Sequence, residues 1–176
     1  MWLDVSWWDK AIFDSSALIT LDHLLQDHPA IGKLFERVRA LEASFTDDKI
    51  WPDQTPPLRE RLLICELPPE EDLNLALRGA RLPRSLAMVD RFVYGASVCL
   101  AIPAVTGDID LARQIIAAGQ HASDMATILK ELTGAQEISE RQCENMLVDL
   151  AARKDFIIGT RSPTWELLKR YRFPPD

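Results

Sequence analysis

Apolar residues fall into two kinds of segment along this chain, and the kinds alternate. Short apolar runs bounded by turn formers suit strands buried on both faces, whereas apolar residues three and four apart suit one helix face. The segment 11–20, AIFDSSALIT, is of the first kind and predicts a strand running into a loop, with a helix after it. His28-Pro29 predicts the start of a second helix, because Ile31, Leu34, Phe35, Val38 and Leu41 recur on one face. Prolines at 52, 56 and 57 forbid a long helix across 46–57 and leave room for a short strand at 49–51. The segment 61–67, RLLICEL, reads as another buried strand. Pro68-Pro69-Glu70-Glu71-Asp72 then opens a helix through about Arg78, with prolines in the first turn and acids at the positive end of the dipole.

Beyond Pro83, Ser85 is a candidate cap for LAMVDRFVYGASVCLA, whose apolar residues cover nearly the whole helix surface and predict a helix inside the molecule. Asp90 therefore stands in an apolar setting. The segment 103–107, PAVTG, reads as a strand ending in a glycine turn, with Asp108 just beyond it and the helix of LARQIIAAG next. Strands alternating with helices through short connections predict a three-layer α/β/α fold with a central parallel sheet and right-handed crossovers. From 139 to 173 the pattern is purely helical and the charge changes sign. The expected organisation is one α/β domain over 10–134, with a C-terminal helical extension over 135–176 packed on it.

Composition narrows the functional classes. With 176 residues, 47% of them apolar, one substantial core is expected. A formal net charge of −7 argues against coating nucleic acid through overall charge, so any such contact must be local or helped by a cation. Cys65, Cys99 and Cys143 lack the paired spacing of a zinc site or disulfide framework, which fits a reducing, cytoplasmic compartment. The N-terminal MWLDVSWWDK carries Asp4 and Asp9, and no stretch approaches the ~18 uncharged apolar residues of a membrane span. Neither export nor membrane insertion is expected.

In open parallel sheets, ligands collect where the carboxyl ends of strands meet the following loops. Asp14 and Asp108 occupy such positions, and Asp90, early in the helix before the Asp108 strand, enters the same crevice from the side. Three converging carboxylates repel one another unless a cation neutralises them, and Mg²⁺ or Mn²⁺ suits an all-oxygen site. Each acid also has a structural reading: Asp14 as a turn cap, Asp90 as a helix-dipole partner, Asp108 as an Asx-turn residue. Their joint arrangement favours the cation site. His23, His28 and His121 have no partner spacing that suggests catalysis, and no Ser or Cys sits in a nucleophile elbow.

The order of DSSALI at Asp14, then SLAMVDRFVYGASVCLAIPAVTGD ending at Asp108, then DLARQIIAAG resembles the PIN-domain family of metal-dependent ribonucleases. There a first strand ends in an Asp followed by a Ser or Thr, and a later helix carries an Asp before a strand closing in T-x-D. The segment 138–171 is similar to the tail of one PIN subgroup, so the resemblance covers about residues 11 to 173. It implies metal-site and catalytic roles for Asp14, Asp90 and Asp108, with Ser16 and Thr106 as supporting hydroxyls and Asp110 as a further metal candidate. The family's additional acid, usually Glu, falls where this chain reads TPPLRE, with Pro57 on the expected position. Asp53 and Glu60 are the neighbouring acids that stand closest to it. The implied activity is metal-assisted hydrolysis of single-stranded RNA, as in toxin-type nucleases held by an antitoxin protein.

Local positive charge would hold such a substrate. Arg78, Arg81, Arg84 and Arg91 crowd the approach to Asp90. Arg161, Lys169, Arg170 and Arg172 lie beside Trp165, Tyr171 and Phe173 in the tail, a pattern that binds RNA or docks onto the domain or a second subunit of a homo-oligomer. Two rival classes are open. A haloacid-dehalogenase-type phosphohydrolase also begins with an Asp after its first strand, but it needs a second Asp two residues on, where this chain has Ser16. A PIN-like fold short of one acid can instead serve as an interaction module.

Overall fold

Residues 7–46, 57–153 and 168–169 are described by a computed structural model of the chain. Five short strands, β1 (Ile12–Phe13), β2 (Arg39–Leu41), β3 (Leu63–Cys65), β4 (Ala104–Val105) and β5 (Ala122–Ser123), form one all-parallel sheet in the order β3-β2-β1-β4-β5. Six α-helices are described: α1 (Ser15–Asp27), α2 (Glu70–Gly79), α3 (Met88–Leu100), α4 (Ile109–Ala117), α5 (Met125–Gly134) and α6 (Glu140–Ala152).

Two-residue periodicity builds the layers, because successive strand side chains point to opposite faces. Phe13, Ala40 and Val105 are in register across β1, β2 and β4, and they join a core with Leu18 and Leu21 of α1, Ile128 and Leu132 of α5, and Met146 and Leu150 of α6. Ile12 and its partner Ala104 turn the other way, onto Val93 and Ala96 of α3 and Leu111 and Ile115 of α4. The result is a three-layer α/β/α fold. The strand sequence runs outward from β1 to β2 to β3, then crosses back over β1 to β4 and β5. The order therefore reverses between β1 and β4, the point at which open α/β sheets leave a crevice beyond their carboxyl ends.

Several expectations need correction. Only Ile12–Phe13 of the 11–20 segment is strand, since Asp14 caps a helix that starts at Ser15. The expected helix over 29–41 is a 3-10 turn at Pro29–Phe35 followed by β2. The apolar residues of Val38, Ala40 and Leu41 suit either period, and burial between β1 and β3 selects the strand. Segment 61–67 contains β3, but as an edge strand, with Leu63 and Ile64 exposed at 51% and 40%. Ser85 is not the cap of α3: Ala87 holds that place and caps with no side-chain hydrogen bond. Only the middle of α3, from Val93 to Ser97, is buried, while Met88 and Leu100 are exposed. The strand read at 49–51 lies outside the described residues.

α6 begins with a capping box, in which Ser139 Oγ accepts from the Gln142 backbone and the Gln142 side chain accepts from the Ser139 backbone. Arg153 pairs with Asp27, and His28 Nε2 meets Asp149 Oδ2 at 2.7 Å, so the end of α1 is tied to α6 as well as packed on it. Leu168, fully buried, joins the same core. Among the described residues no helix is long and apolar enough to cross a membrane.

Gly95 lets α2 and α3 close on each other. A Cβ there would stand 2.1 Å from Leu73 Cδ1, the free end of a buried side chain. Gly95→Ala gains about 1 kcal/mol of helix propensity and loses about 1–3 kcal/mol to overpacking. The expected result is a lower Tm in the wild-type background and a higher one in Leu73→Ala, where the space is open. Thermal denaturation of the four proteins checks the reversal of sign.

Candidate functional site

β1 ends at Phe13, so Asp14 is the first residue past its carboxyl end, and β4 ends at Val105, which puts Thr106 at the same level of the neighbouring strand. Asp14 leaves the strand in extended backbone and becomes the N-cap of α1, its Oδ1 accepting from Ala17 N at 2.8 Å and from Ser16 Oγ at 2.7 Å. Its Oδ2 accepts from the Thr106 hydroxyl. Asp108 repeats the device one turn on: it caps α4, with Oδ1 accepting from Asp110 N and Leu111 N. The capping roles open in the sequence are thus both realised. They also fix where the two carboxylates sit.

Asp90 comes from α3. It lies in the first turn, on the stripe that continues to the buried Val93 and Tyr94, so its side chain is turned toward the sheet. α3 packs against β1, whose end carries Asp14.

Asp14 feels the charge of Asp108, and Asp90 feels the charges of both. Burial lifts the Asp14 carboxyl above the usual range, its hydrogen bonds from Thr106, Ala17 and Ser16 oppose this, and the Asp108 charge adds to the rise. Asp90 is pushed up to about 6, first by burial and then by the charges of Asp14 and Asp108. None of the ion pairs among the described residues reaches Asp14, Asp90 or Asp108. A like-charged cluster without a basic partner is costly unless a cation or a proton neutralises it.

Among the described residues no group of three or more His, Cys, Asp or Glu side chains could hold a metal ion directly. Charge coupling reaches farther than direct ligation, which is how both statements hold together. The donors are all carboxylate and hydroxyl oxygens, the kind that Mg²⁺ and Mn²⁺ prefer.

No family model, no curated protein and no solved structure matches this chain. Its chemistry must therefore be read from its own residues.

The remaining candidates separate. Asp110 lies beside the cluster, 3.7 Å from Arg113, but its charge is not among those felt by Asp14 or Asp90. Glu60 is exposed in the 3-10 turn before β3 and is likewise not among those charges. Asp53 lies outside the described residues, as do Arg161, Trp165, Arg170, Tyr171, Arg172 and Phe173 of the tail; Lys169 is described and exposed.

Two acids escaped the sequence reading. Glu42 follows β2 directly, one residue past the level of Asp14, and is held by Arg59 at 2.8 Å. It was hidden because 29–41 read as a helix, which leaves no strand end there. Asp124 follows β5 and caps α5 through Thr127 N, in the same strand–Asp–helix arrangement as Asp14. The strand before it is only two residues long, and one of them, Ser123, is polar, which is too little to signal a strand.

Arg78, Arg81 and Arg84 are exposed at the end of α2 and in the loop leading to α3. Arg91 is not one of them: its Nη2 donates to Pro83 O at 2.9 Å and its Nε to Leu86 O, so it folds the loop back onto α3. Arg91→Gln is expected to cost about 1–3 kcal/mol of stability through these charge-assisted bonds. Chemical denaturation measures that loss. RNA affinity, corrected for the folded fraction, should stay unchanged.

Proposed function

We propose that this chain is a PIN-type, Mg²⁺- or Mn²⁺-dependent endoribonuclease acting on single-stranded RNA. The observation that carries the reading is the meeting of Asp14, Thr106 and Asp108 at the point where strand order reverses, with Asp90 on α3 feeling both carboxylate charges. A bound cation supplies a water of lowered pKa and stabilises charge on the phosphate. The chain's own part is to hold that cation between Asp14, Asp90 and Asp108, and to bind the phosphates of the strand through Arg78, Arg81 and Arg84. Asp90, with a carboxyl raised to about 6, accepts a proton readily when no cation is present. A toxin-type nuclease in the cytoplasm, restrained by an antitoxin protein or by self-association, is the setting this reading suggests.

A second reading is favoured by one observation, the exposed position of Glu60 where a further acid is expected. A fold short of that acid can instead serve as an interaction module. Incubation with single-stranded RNA in Mg²⁺, Mn²⁺ or chelator separates the two. Cleavage that needs the metal and survives both Asp53→Asn and Glu60→Gln supports a three-acid nuclease, whereas a folded protein inert with either metal supports the module.

A further inference from the structure

We infer that Ser16 and Thr106 are positioning residues, a pair of hydroxyl bridges that fasten the turn carrying Asp108 to the Asp14 carboxylate and so set the spacing of the two acids. The inference rests on the proposed cation site for its consequence, but its geometry stands apart from it. Gly107 N donates to Ser16 Oγ at 2.8 Å, and Ser16 Oγ donates to Asp14 Oδ1 at 2.7 Å. Asp108 N donates to Thr106 Oγ1 at 2.9 Å, and Thr106 Oγ1 donates to Asp14 Oδ2. Each hydroxyl thus receives a backbone N–H from one of two consecutive residues of the β4–α4 turn and passes its own proton to one of the two oxygens of the same carboxylate.

With Asp14 ionised the direction of these bonds is forced. A backbone N–H can only donate and a carboxylate can only accept, so each hydroxyl accepts on the turn side and donates to the carboxylate. Asp14 and Thr106 are buried at 2% and 3% exposure, where an unmet donor or acceptor is expensive. The two bridges begin on neighbouring amides and end on the two oxygens of one carboxyl group, so together they resist rotation of that group as well as displacement of the turn. Without the Thr106 bridge only Oδ1 is held, by Ser16 and Ala17, and the group can pivot about it. Loss of both should therefore exceed the sum of the single losses, as expected for groups sharing a network. Asp108, one residue past the first bridged amide and itself the second, is carried by the same turn.

The test uses Thr106→Val, which keeps the shape and removes the hydroxyl, Thr106→Ser, which restores it, Ser16→Ala, and the Ser16→Ala/Thr106→Val double variant. In metal-free buffer, amide hydrogen exchange at Gly107 and Asp108 is read by NMR. Mn²⁺ affinity is then read by calorimetry. Exchange at Asp108 should rise about tenfold or more in Thr106→Val, return to within about twofold of wild type in Thr106→Ser, and rise at both amides in the double variant by more than the product of the single changes. Mn²⁺ affinity should fall about 10–100-fold in Thr106→Val and recover in Thr106→Ser. Unchanged exchange at both amides in the double variant overturns the inference whether or not metal binds. Altered exchange with wild-type Mn²⁺ affinity overturns it as well, because the bridges would then be structural only. If wild type binds no Mn²⁺, the cation reading falls and the exchange measurements still decide whether the bridges hold the turn.

Discussion

Asp14→Asn should remove metal-dependent RNA cleavage, by at least about a hundredfold, while leaving the metal-free protein as stable as wild type or more so. The two effects have one cause. Asp14 is buried with its carboxyl raised, and the nearby Asp108 charge contributes to that rise. Ionised Asp14 therefore costs folding energy. Asparagine keeps an oxygen for the Ala17 cap and the Ser16 hydroxyl but places an amide where the Thr106 hydroxyl now donates, so one hydrogen bond of about 1 kcal/mol is lost against the relief of charge. Cleavage rates with Mn²⁺ and melting curves in chelator check both halves. Lost activity with a lower Tm would make Asp14 an ordinary helix cap.

Asp90→Asn should raise stability at high pH and do little at low pH. With its folded-state pKa raised to about 6 from 3.8, Asp90 binds its proton more tightly folded than unfolded. As pH rises between those values the native state holds more protons than the unfolded one, so stability falls, and the whole cost is present above about pH 7. Below about pH 3 the carboxyl is neutral in both states and the cost is absent. Asparagine has no such dependence. The Tm gain of the variant in chelator should therefore grow from about pH 3 to about pH 7 and level off above it. Saturating Mn²⁺ should shrink the gain, since binding stabilises only the wild-type cluster strongly. A gain that is flat with pH would show that Asp90 does not feel the other two charges.

The place of Asp14 at a strand end was legible in the sequence for a physical reason: a buried strand two residues long still leaves its mark when an Asp stands directly after it, as Asp14 follows Ile12–Phe13. The parallel layered arrangement followed from alternation of strands and helices. Strand ends and neighbours were harder. Val38, Ala40 and Leu41 fit a helical period as well as a strand, and only the tertiary slot between β1 and β3 decides between them, which is why Glu42 at the end of β2 went unnoticed. Arg91 read as a phosphate ligand because charge is visible in a sequence, whereas the Pro83 and Leu86 carbonyls it binds are not. The hydroxyl bridges of Thr106 to Asp14 and of Ser16 to Gly107 join residues 92 and 91 apart in the chain, and no local pattern reports that.

Calorimetric titration of the metal-free protein with Mn²⁺ near neutral pH, repeated on Asp14→Asn, Asp90→Asn and Asp108→Asn, tests the cation site most directly. Wild type should bind Mn²⁺ at one site, and each substitution should weaken that binding by about tenfold or more, with Glu60→Gln unchanged. Wild-type affinity in all three Asp variants, or no binding by the wild type, would contradict the account.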